Sequence, residues 1–65
     1  MKVSINAKNY ALPAQAKLLD AIALIQAVPP FAVAINLQFV PNGQYAVTFL
    51  QDGDKIDIIR PVTGG

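Results

Sequence analysis

Polar and apolar residues alternate at the start of the chain. In Lys2-Val3-Ser4-Ile5-Asn6, Val3 and Ile5 share one side, the pattern of a half-buried strand. Asn6-Ala7-Lys8-Asn9 reads as a turn and Tyr10-Ala11-Leu12 as a short return strand, which together predict a hairpin. Pro13 stops that strand and suits the first turn of a helix. From Ala14 to Val28 the pattern changes period, with Leu18, Ile22 and Ile25 at i, i+4 and i+7 and Leu19 and Leu24 widening the stripe. The spacing predicts a helix over 14–28 that Pro29-Pro30 ends, with no Ser, Thr, Asp or Asn placed to cap its start. Phe31 to Asn36 returns to period two. Asn36-Leu37-Gln38 is a tight turn, and Phe39-Val40 is a brief edge strand closed by Pro41. Asn42-Gly43 is a turn signal, and Tyr45 to Leu50 is irregular. After the Asp52-Gly53-Asp54 turn comes the clearest strand, Lys55 to Arg60, with Ile56 and Ile58 on one side and Lys55, Asp57 and Ile59 on the other.

Two strands, a helix and further strands make an α+β order, that of a β-grasp (ubiquitin-like) domain. The expected architecture is a mixed sheet of four to five strands with one helix across one face. Its last strand is expected to be central and parallel to the first. Val3, Ile5, Leu18, Leu19, Ile22, Ile25, Val33, Ile35, Leu50, Ile56 and Ile58 are the expected core. The domain spans 1–60. Pro61 cannot donate to a sheet ladder, so 61–65 is expected to project as a flexible C-terminal tail ending in Gly64-Gly65.

Composition narrows the chemistry. A 65-residue chain is one domain or a fragment of one, and a chain of this size buries only about 60% of its unfolded surface. With 54% hydrophobic and 14% charged residues it is nonetheless globular. It has no cysteine and no histidine, which excludes disulfides, the usual zinc sites and every Cys-His or Ser-His-Asp mechanism. Net charge is +1, and Lys2, Lys8, Lys17, Lys55 and Arg60 do not cluster, so no nucleic-acid partner is expected. The start lacks the apolar core of a signal peptide. The longest apolar stretch, Ala27 to Ile35, carries two prolines and is too short to span a bilayer. No membrane partner is expected, and a cytoplasmic location is the expectation.

Side chains that could carry chemistry are few. Asp52, Asp54 and Asp57 are the only acidic cluster. A calcium loop starting at Asp52 would need Gly and Glu where Asp57 and Thr63 stand, and the bland reading is an Asp-Gly turn before a strand. Asn36 and Asn42 read as turn residues, and Tyr10 and Tyr45 do not make a stacking platform. No catalytic side chain and no metal site are expected. Ala32, Ala34 and Ile59, with Val62 beyond, are expected on the sheet face away from the helix, where they and Arg60 would form a partner-binding surface. Gly64 and Gly65 lack side chains and so fit a space too narrow for other residues. Val62, Thr63 and Gly64 would then be a stalk for the Gly65 carboxylate.

The run Val33-Ala34-Ile35-Asn36, then Phe39-Val40-Pro41, then Tyr45, Thr48 and Leu50, and above all Asp52-Gly53-Asp54-Lys55-Ile56-Asp57-Ile58-Ile59-Arg60-Pro61-Val62-Thr63-Gly64-Gly65, resembles the thiamine-biosynthesis sulfur carriers, the ThiS family. The resemblance implies a carrier and not an enzyme. The Gly65 carboxylate would be adenylated by a ubiquitin-activating-type adenylyltransferase, ThiF-like, that consumes ATP, with no cofactor held permanently. A cysteine desulfurase would supply sulfur as a persulfide, giving a thiocarboxylate that donates sulfur to a ThiG-like thiazole synthase. Two alternatives stand beside it. One keeps the tail chemistry, as in the molybdopterin-synthase small subunit or a ubiquitin-like modifier. The other is a non-catalytic β-grasp interaction module.

Overall fold

A computed structural model describes residues 1–61. Five strands form one sheet: β1 (Lys2–Ile5), β2 (Lys8–Ala11), β3 (Ala32–Ile35), β4 (Gln38–Val40) and β5 (Lys55–Ile59). Among the described residues one α-helix, α1 (Leu18–Leu24), and one turn of 3₁₀ helix over Asn42–Gln44 accompany the sheet. The strand order is β2-β1-β5-β3-β4. β5 is central, parallel to β1 through Ser4–Lys55 and Ile5–Ile56 and antiparallel to β3 from Ala32–Ile59 to Ile35–Ile56. β4 is an edge strand, as Pro41 requires. A mixed five-stranded sheet with one helix on one face is the β-grasp arrangement.

Both hairpins turn in two residues. Asn6 and Ala7 have φ of 52° and 68°, and Asn36 and Leu37 have 51° and 69°. Left-handed backbone at both central positions is the turn whose twist matches that of the strands. The first turn is therefore Asn6-Ala7, not the expected four residues, and Lys8 and Asn9 belong to β2.

The helix is shorter than its apolar stripe predicts, seven residues in place of 14–28. Its missing first turn is used elsewhere. Ala16 N–H closes a turn on the Pro13 carbonyl, and residues 16–18 pair with 48–50 through Leu50 N–H to the Ala16 carbonyl and Leu18 N–H to the Thr48 carbonyl. Lys17 is extended, and its N–H donates to the Asp20 carboxylate at 2.8 Å, one half of a capping box. At the other end the helix closes before the prolines arrive. Gln26 has φ of 56°, Gln26 N–H donates to the Ala23 carbonyl and Ala27 N–H to the Ile22 carbonyl. That pair of bonds is a Schellman motif with glutamine in the left-handed position.

The core lies between the helix and one sheet face. Val3, Ile5, Leu18, Ile22, Val33, Leu50, Ile56 and Ile58 are buried as expected. Three expected members are not. Leu19 is 47% exposed, while Ile25 and Ile35 only pack against the margin. Ala16, Ala21 and Tyr45 are buried in addition. Tyr45 joins the core cluster, stacks on Phe31 with ring centroids 5.9 Å apart, and accepts Leu19 N–H at its carbonyl.

Candidate functional site

The Asp52-Gly53-Asp54 turn sets where β5 begins. Asp52 Oδ1 accepts Lys2 N–H at 2.7 Å, and Gly53 N–H donates to the Lys2 carbonyl. Asp54 accepts Gln51 N–H on one carboxylate oxygen and Asn36 Nδ2 on the other. Gly53 has φ of 88°, which a side chain would strain. Asp52 and Asp54 are thus structural acceptors that tie the β5 entry to β1 on one side and to the β3–β4 turn on the other. Asp57 stands apart, half-buried within β5. Among the described residues no three His, Cys, Asp or Glu side chains gather where they could hold a metal ion.

The residues expected on a partner surface fall partly on one sheet face. Strand alternation puts Ala32, Ala34 and Ile59 on the sheet face opposite the core, with Ala32 beside Ile59. Both alanines are half-buried and Ile59 is 58% exposed. Asp57 pairs with Ala34 and breaks the apolar row that the alanines suggest. Arg60 is exposed one residue past the strand. The sequence reading misses Phe39, which faces Ala34 across β3 and β4 and is 69% exposed. Its parity was the available signal: once the turn is known to be Asn36-Leu37, Phe39 falls on the Ala34 side. Tyr10 and Asn42 take structural places, Tyr10 packed at the core margin opposite Val3 and Asn42 opening the 3₁₀ turn.

β5 delivers the chain to Arg60 and Pro61, both exposed at the end of the central strand. Val62, Thr63, Gly64 and Gly65, which carry the expected stalk and its terminal carboxylate, lie outside the described residues. No helix among the described residues is long and apolar enough to cross a membrane.

The fold and the route of its central strand are those of a β-grasp domain whose central strand leads out to the exposed Arg60 and Pro61. The chain belongs to the ThiS family, which it matches over residues 3–65. It is 47% identical over 34 residues to the sulfur carrier protein ThiS of Escherichia coli (strain K12), a match that covers 52% of each chain, so the matched segment spans about half the length of that relative. A crystal structure of a thiamine biosynthesis protein (ThiS) from Geobacter metallireducens superimposes with a TM-score of 0.82 over 100% of both chains at 16% identity, which bears on the fold.

Proposed function

We propose that this protein is a sulfur carrier of thiamine biosynthesis whose reactive group is the Gly65 carboxylate. The carrying observation is the family match, which runs through Gly65 on a chain whose central strand ends at Ile59 with Arg60 and Pro61 exposed after it. A carboxylate oxygen attacks the α-phosphorus of ATP inside an activating enzyme, a P–O bond to pyrophosphate breaks, and an acyl-adenylate forms. The terminal sulfur of a cysteine persulfide then attacks the acyl carbon and AMP leaves. A thiol reduces the resulting acyl disulfide, which leaves a thiocarboxylate on Gly65 and a disulfide on the thiol side. The thiocarboxylate sulfur is the atom passed to a thiazole synthase.

The residues suit this division of labour. In-line attack needs the carboxylate placed to within about an ångström in a closed site. Gly64 and Gly65 present no side chain to that site. Ile59, Ala32 and Ala34, with Phe39 added and Arg60 at the margin, are the surface on which the activating enzyme would seat. The carrier provides no acid, base or metal of its own in this scheme; its partners do the catalysis.

The length of the stalk is the sharpest handle. Deleting Gly65 or adding one residue after it moves the carboxylate by a full residue. Either change should lower ATP–pyrophosphate exchange with the activating enzyme by about 100-fold or more while circular dichroism and thermal unfolding stay as in the unaltered chain. Exchange that survives both changes would sink the carrier reading and favour an interaction module.

A further inference from the structure

The two turn asparagines do more than turn the chain. Each is the left-handed first residue of a two-residue hairpin loop, and the two reach β5 from opposite sides. From the β3 side, Asn36 N–H donates to the Lys55 carbonyl at 2.7 Å and Asn36 Oδ1 accepts Lys55 N–H at 3.0 Å. From the β1 side, Asn6 N–H donates to the Ile56 carbonyl at 2.9 Å and Asn6 Oδ1 accepts Ile58 N–H at 2.8 Å. The two contacts differ in consequence. Asn36 acts where β5 enters the sheet, and there β5 is paired on both sides. Asn6 acts near the exit. β1 pairs with β5 only as far as Ile5–Ile56, and then the chain turns away at Asn6-Ala7. On the other side β3 continues to pair as far as Ala32–Ile59. The Asn6 side chain therefore takes the place of the next β1 residue, holding Ile58 N–H two residues before Arg60.

We propose that Asn6 is a positioning residue for the chain end. Its amide oxygen fixes the β1-side edge of β5 at Ile58 and so sets the direction in which the chain leaves the sheet at Arg60-Pro61. Without it the last residues of β5 are held from the β3 side alone. The exit then samples a wider cone, and a smaller fraction of carriers presents Arg60-Pro61 in the direction an activating enzyme accepts. An apparent affinity falls by that fraction, whereas the step after docking is unchanged. This last consequence rests on the carrier function proposed above; the geometric statement does not.

Two substitutions separate the turn from the clamp. Asn6→Gly keeps a residue that tolerates the left-handed backbone and removes the amide; Asn6→Asp keeps both the backbone tolerance and an acceptor oxygen. In Asn6→Gly the Ile58 amide should exchange with solvent roughly 3- to 10-fold faster, the loss of one hydrogen bond. Backbone order parameters at Ile59 and Arg60 should fall, while exchange at Ile22 and Val33 stays as in the unaltered chain. The apparent KM for the carrier in ATP–pyrophosphate exchange should rise with kcat unchanged, and Asn6→Asp should restore all three readouts. Unaltered Ile58 exchange and order parameters in Asn6→Gly would overturn the clamp. A loosened exit with an unchanged KM would overturn the positioning role. If the unaltered protein itself is not activated, the carrier reading fails, and the clamp still stands or falls on exchange and order parameters.

Discussion

Leu37 is the residue most at odds with its place. It occupies the second position of the β3–β4 turn with φ of 69° and is 81% exposed. A side chain in left-handed backbone crowds the following carbonyl at a cost of about 1–2 kcal/mol, and so exposed a leucine regains little by burial. Leu37→Gly should raise stability by about 0.5–1 kcal/mol after glycine's own entropic cost. Thermal unfolding should show a melting temperature roughly 4 °C higher, and an equal or lower one would mean the turn stores no such strain. Turn geometry was hard to read from these residues. Neither Asn6-Ala7 nor Asn36-Leu37 carries the glycine that usually marks such a turn, while Asn42-Gly43, the stronger signal, sits in a 3₁₀ turn. The same asparagines were legible as turn formers but not as clamps, because their β5 partners lie 19 and 52 residues away.

Among the elements, the strands were legible and the helix was only half so. Val3 and Ile5 in β1, and Ile56 and Ile58 in β5, alternate cleanly with polar neighbours, and both strands fall where that alternation puts them, one face buried. The helix stripe gave the buried face through Leu18 and Ile22 but not the ends. Helix propensity over 14–17 yields to the bridge between Lys17 and Phe49, a contact of distant residues that no local pattern reports. Leu19 matches the apolar stripe yet faces outward, because a helix of seven residues can bury only one narrow row. Tyr45 lay in a segment without clear parity, and only the fold brings it to Phe31. The C-terminal end of the helix offers a direct test. Gln26 fills the left-handed position of the Schellman motif, where glycine is the preferred residue. Gln26→Gly should stabilise the protein by about 0.5–1 kcal/mol, seen as a higher urea midpoint at an unchanged m-value. A lower midpoint would contradict that assignment of the helix end.

At the scale of the molecule, the sheet order explains how so small a chain holds its last strand. β5 has neighbours on both sides, its entry is tied down by Asp52, Asp54 and Asn36, and Asn6 holds Ile58 near its exit. Everything reactive that the carrier reading assigns lies after that exit. The most direct measurement is the intact mass of the full chain after incubation with ATP, an activating enzyme and a persulfide sulfur donor, followed by fragmentation to locate any change. The account predicts a gain equal to one sulfur-for-oxygen exchange, placed on Gly65 and absent when ATP is withheld. An unchanged mass under conditions in which the activating enzyme consumes ATP with its own carrier, or a sulfur found on any other residue, would contradict it.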